Sequence, residues 1–156
     1  MQTTKILVRR YLRRSPKTPE ATVRSAVRRL RTMKADGNLK YTCHVELSQQ
    51  DSQVFPKDGR TFHRRECSIT NVEPGDTENE VRAATTLFHE SLHERDIAKD
   101  GESAITKANE IKAHHETVAF LKDWDTREMD PDVKRQIRGE LRDERHSIDV
   151  LHKERD

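Results

Sequence analysis

The segment His89-Glu90-Ser91-Leu92-His93 constrains this chain more than any other. The letters around it, Val81 to Ile97, carry helical periodicity, with Val81, Ala84, Leu87, Phe88 and Leu92 on a broad apolar face. On a helix, residues four apart sit one turn apart on the same side, so both imidazoles can aim at one point. His89 and His93 flank the apolar face rather than oppose it, at a boundary between core and solvent. Any fold of this chain must therefore bring a second element up to that boundary.

Two imidazoles at this spacing, with a carboxylate between them, are the minimal set for a zinc site whose water is activated by a general base. The expected cofactor is Zn2+, the expected ligands are His89 and His93, and Glu90 is the expected general base. Such a site needs a third protein ligand and an open position for water. No H-x-x-G-x-x-H continuation follows Glu90. The candidates lie between Asn109 and Glu116, in a segment that reads as a further helix from about Ser103 to Trp124.

Helical phase separates these candidates. Glu110, His114, Thr117 and Leu121 fall on one line along the buried stripe, while Glu116 falls with Lys112 and Asp123 on the solvated side. His115 sits at the edge of the stripe. A charged Glu on an apolar face is costly unless paired or metal-bound. Glu110 is therefore the favoured third ligand. His114 either supports a ligand through a hydrogen bond or is itself the ligand. The alternative without a metal is a helix-surface Glu110 paired with His114 or Lys107, beside two solvated histidines.

The core available to such a site is thin. Of 156 residues, 31% are apolar and 37% charged, so a bound metal would add usefully to folding energy. There is no run of 18 apolar residues, and the start, MQTTKILVRRYLRR, lacks the apolar stretch of a secretory signal. The expected location is the cytoplasm, or a destination reached through a signal-independent secretion system. Cys43 and Cys67 both fall in strand-like segments and are expected to be buried thiols, with a disulfide between neighbouring strands as the alternative.

Charge divides the chain. Residues 1–40 hold twelve Lys or Arg against Glu20 and Asp36, a local net of +10, which leaves −8 for the rest. A basic block of this kind either docks onto the acidic remainder or meets an anionic partner.

The remaining letters predict one domain over 1–156. A basic helical segment spans 1–36, in which KILVRRYLRR forms a short helix or arm and a helix starts at Pro19 after Thr18. Asp36-Gly37-Asn38 stops that helix. A catalytic core covers 39–124, with strands at Leu39–Leu47 and Thr61–Val72 and a loop at Ser48–Arg60. Thr77 and Glu80 form a capping box ahead of a motif helix running from about Glu78 to Ala98, which Asp100-Gly101-Glu102 ends. A charged helix fills 131–154. The fold class expected is α+β: a compact zincin-like domain, mostly helical, with a small antiparallel sheet of two or three strands before the motif helix.

HESLH followed by NEIKAH resembles the gluzincin branch of zinc metallopeptidases. The run through Glu110, Ala113, Thr117 and Phe120 is also similar to metallopeptidase-type toxin or effector domains of bacterial secretion systems. The resemblance covers roughly residues 60–124. It implies peptide hydrolysis, with His89, His93 and Glu110 on zinc and Glu90 as base. It also implies a protein or peptide substrate and, for a toxin, an immunity or carrier protein. His114 departs from the family pattern, where an acidic residue supports a ligand histidine. The peptide is expected along an edge strand, Thr61–Val72, with His63, Arg64, Tyr41 and His146 as unranked oxyanion donors.

Two other readings compete. One is a nucleic-acid-associated or regulatory protein with a structural zinc and the basic N-terminal segment as its contact. The other is a helical interaction protein in which 103–154 forms a charged antiparallel pair.

Overall fold

The computed structural model describes residues 5–8, 19–48, 51–56 and 68–154. Within them the order is β1 (Lys5–Val8), α1 (Pro19–Thr32), α2 (Asp36–Leu39), β2 (Thr42–Leu47), β3 (Gln53–Pro56), β4 (Ser68–Val72), α3 (Glu80–Asp100), α4 (Lys107–Arg127) and α5 (Pro131–Lys153). The fold is α+β, mostly helical, with one small sheet ahead of the motif helix α3.

That sheet has four strands in the order β1-β2-β4-β3. It is mixed, not antiparallel as the sequence suggested: β1 and β4 both run parallel to β2, and only β3 runs antiparallel, against β4. The reason lies at the N-terminus. Lys5–Val8 is a strand rather than a helix or arm, and α1 is the crossover that returns the chain parallel to it. A short aliphatic run such as Ile6-Leu7-Val8 carries no period that separates strand from helix. Thr18, the expected cap of α1, lies outside the described residues. The loop expected over Ser48–Arg60 contains β3, whose short Val54-Phe55 run lies in a polar stretch that ends at Pro56 and whose backbone pairs with β4.

The core runs from end to end of the chain. Val23, Ala26, Val27 and Leu30 of α1 pack with Val45 and Leu47 of β2, Val81, Ala84 and Leu87 of α3, Leu121 and Trp124 of α4, and Ile137, Leu141 and Ile148 of α5. α5 is thus part of the same core as the segment expected to be catalytic. α3 lies at the centre, touching α1, α4, α5 and the sheet.

The ends of α3 fix where its histidines point. Asn79 caps it by accepting from Arg82 N at 2.8 Å. Thr77, expected in that role, instead ends a preceding 3₁₀ turn, and its hydroxyl donates to Pro74 O. At the other end Gly101 takes φ 72, the left-handed conformation that glycine adopts without strain. Thr106 caps α4 and Asp130 caps α5, which starts with Pro131. The short connection from α4 to α5 makes them close neighbours.

Asp36-Gly37-Asn38 forms the single turn of α2 rather than a bare stop. Cys43 on β2 is disulfide-bonded, the alternative to the favoured buried thiol; Cys67 lies outside the described residues. Among the described residues, no helix is long and apolar enough to cross a membrane.

Candidate metal centre

α3 and α4 lie side by side, and four side chains meet between them. His89 Nε2 and His93 Nε2 are 3.0 Å apart, which their one-turn spacing on α3 allows. From the first turn of α4, Glu110 spans both: Oε1 lies 3.0 Å from His89 Nε2 and Oε2 lies 2.7 Å from His93 Nε2. His114, one turn further along α4, brings its Nε2 to 3.1 Å from Glu110 Oε1. Its Nδ1 lies 2.5 Å from Glu144 Oε2 on α5.

The inward phase inferred for Glu110 and His114 is therefore the observed one. Glu116 sits elsewhere, paired with Arg95 at 3.1 Å, and His115 is exposed. Glu144 escaped the sequence reading. The available signal was its place on α5, one turn before buried Ile148 and one turn after Glu140.

Two groupings have the composition and proximity of metal sites: His89, His93 and Glu110, and His89, His114 and Glu144. Zinc binds imidazole nitrogen and carboxylate oxygen at about 2.0–2.2 Å, so tetrahedral ligands stand roughly 3.3 Å apart. The observed spacings of 2.7–3.0 Å among His89, His93 and Glu110 are a few tenths of an ångström shorter. A small outward adjustment of side chains would admit an ion, so the residues fit the group.

Electrostatics show how the donors balance when no ion holds them. Burial alone would raise Glu110, but hydrogen bonds from His114, His89 and His93 hold its carboxyl far below the usual range. Burial would lower His114, but Glu110 and Glu144 together push it up to about 9. His93 is likewise raised by Glu110, with Glu90 and Asp96 adding, against the effect of burial. Protons on the imidazoles and an ion between them are alternative ways to neutralise the same carboxylate. His89 Nδ1 is buried and has no hydrogen-bond partner among the described residues.

Glu90 differs from Glu110. It is 8% exposed and burial pushes its carboxyl up, opposed by the nearby His89 and His93. A carboxylate made more basic in this way is a better proton acceptor near neutral pH. One turn on, Glu94 is 1% exposed and takes hydrogen bonds from the Thr42 and Thr70 hydroxyls of β2 and β4. Burial, against those hydrogen bonds, pushes it up to about 8. Glu94 thus ties α3 to the sheet.

Glu90, His93 and Glu110 line a cleft of about 240 Å³, whose other walls include Val54 on β3, Ile97 on α3 and Ile105 before α4. Among the described residues, β3 is an edge strand of the sheet. The expected edge, Thr61–Val72, is corrected: its described part, β4, is interior and paired on both sides. The approach to β3 is pinned to the turn before α3. Ser52 Oγ donates to Asp76 and accepts from Glu73 N, while Asn71 Nδ2 donates to Asp51 O. Of the expected oxyanion donors, Tyr41 and His146 do not line the cleft, and His63 and Arg64 lie outside the described residues. No protein-family model matches the chain, and comparison with the curated proteins and with the solved structures finds no match.

Proposed function

We propose that this protein is a zinc-dependent peptidase. The observation that carries the reading is the meeting of His89 Nε2, His93 Nε2 and both oxygens of Glu110, with His93, Glu110 and the neighbouring Glu90 lining a cleft that also touches the edge strand β3. Zinc held there by His89, His93 and Glu110 would lower the pKa of a bound water and polarise a substrate carbonyl.

The chain's own residues supply the rest. Glu90, buried and raised, accepts a proton from the attacking water and delivers it to the leaving amine. An extended peptide pairs with β3, which sets its carbonyls at a fixed height above Glu90. Val54, Ile97 and Ile105 offer an apolar wall to a substrate side chain next to the scissile bond.

The basic N-terminal segment gives weaker support to the nucleic-acid reading. Arg29 is engaged by Glu80 and Glu128 and lies over the Trp124 ring, and Arg31 is paired with Asp36. These cations are at least partly spent within the molecule.

The test pairs zinc analysis of protein purified without chelator with a peptide-library digest by wild type and Glu90→Ala. One zinc per chain in both, with cleavage by the wild type alone, is the expected result. A variant that holds zinc and cuts as fast as wild type would remove the mechanism.

A further inference from the structure

We propose that His114 is a positioning residue of the metal centre: held by Glu144 of α5, it donates a hydrogen bond to Oε1 of Glu110 and so leaves that ligand one oxygen, Oε2, for the ion. The proposal rests on the metal-site reading above and deepens it. It keeps the fourth position on the ion open for water.

Three observations carry it. First, both nitrogens of His114 face carboxylate oxygens: Nε2 lies 3.1 Å from Glu110 Oε1, and Nδ1 lies 2.5 Å from Glu144 Oε2. A carboxylate only accepts, so both nitrogens carry protons and donate. The His114 and Glu144 side chains are largely buried, at 14% and 13% exposed, so α5 fixes the ring that α4 carries. Second, the three imidazoles that donate to Glu110 are not equivalent once an ion is bound. A ligating imidazole turns a bare nitrogen to the metal, so His89 Nε2 and His93 Nε2 stop donating. His114 alone of the three still donates. It does so at Oε1, where His89 Nε2 also lies at 3.0 Å, whereas Oε2 is the oxygen beside His93 at 2.7 Å. Hydrogen bonds of this kind orient ligating carboxylates. Third, the cleft is lined by His93, Glu110 and Glu90 but not by His114 or Glu144. The pair therefore acts through Glu110 and not on a substrate.

The competing account is that the pair only staples α4 to α5. A crystal structure of the zinc-loaded wild type separates the two without relying on a variant. Glu110 should hold zinc through Oε2 alone, with Oε1 on His114; zinc held through both oxygens would overturn the proposal. Zinc titration of variants with wild-type helix content adds a second measure. His114→Ala should keep zinc but raise its dissociation constant about 10–100-fold, the usual effect of losing such support, and Glu144→Ala should raise it in the same direction. His114→Gln, whose amide sets an N–H near the place of Nε2, should recover much of the loss. Unchanged affinity in His114→Ala, or an equal loss in His114→Gln, would overturn the proposal while leaving the His89–His93–Glu110 site intact. Unchanged affinity in Glu144→Ala would overturn the part given to α5. A wild type that binds no zinc would remove both this proposal and the site on which it rests.

Discussion

Glu110 Oε2 sits 2.7 Å from His93 Nε2, joining the first turn of α4 to the middle of α3. The same carboxylate holds His89 through its other oxygen, so one side chain organises the whole cluster. Glu110→Ala should therefore lose zinc. Glu116→Ala, which removes only a partner of Arg95, should keep it. Metal content after dialysis measures both, and a reversed pattern would move the third ligand to Glu116.

That assignment was open to sequence reasoning because helical phase is a short-range property. Once α4 is a helix, Glu110, His114, Thr117 and Leu121 must share a side. What phase cannot supply is the neighbour on that side. Glu144 comes from α5, and its role depends on how α4 and α5 pack. The sheet failed in part for a similar reason. Alternation marks a strand but not its partner, and β1 and β3 become strands through pairing with β2 and β4. Glu94 went unnoticed because a carboxyl buried against two threonine hydroxyls contradicts the apolar pattern used to find the core.

Removing the metal should destabilise the fold. His89 and His93 on α3 are tied to Glu110 on α4, and the apolar core is thin for the chain's length. A ligand that binds only the folded state at about a hundredfold above its dissociation constant adds roughly 2.7 kcal/mol, or about 5–10 °C in Tm for a domain this size. Thermal melts of verified zinc-loaded and zinc-free samples check this; identical midpoints would show that folding is not coupled to the ion.

The apolar wall of the cleft predicts substrate preference. Ile105 is 68% exposed, so changing it should not disturb the core. Ile105→Glu should lower kcat/KM about tenfold or more for peptides with a large apolar residue beside the scissile bond, and much less for those with glycine there. Equal losses for both peptide classes would mean that Ile105 does not contact that side chain.

The basic segment predicts a salt response if an anionic polymer binds it. Affinity for duplex or single-stranded DNA should then fall steeply between low and physiological salt. Arg24→Glu, on the exposed side of α1, should weaken it further. No binding at low salt assigns the positive charge to contacts within the molecule, as Arg29 already shows with Glu80 and Glu128.

Glu140 predicts how stability should vary with pH away from the metal donors. Burial pushes its carboxyl up to about 7 from an ordinary 4.5; Arg82 opposes this, and Asp143, Glu144 and Asp76 add to it. The folded state thus keeps a proton that the unfolded chain releases above about 4.5. The stability contributed by that proton is fully present below pH 4.5 and is lost as pH rises through 7. Glu140→Gln holds the uncharged form at every pH and escapes the loss. Compared in chelator, so that zinc binding does not intrude, wild type and variant should have similar offsets near pH 5, and the variant should gain on the wild type by pH 8. The Arg82 ion pair works the other way, because Gln removes a partner at 3.5 Å, although Arg82 keeps Glu78 at 3.1 Å. A difference in Tm that stays constant from pH 5 to pH 8, or that turns against the variant at high pH, would mean that Glu140 is charged throughout and that its pairing with Arg82 outweighs its burial.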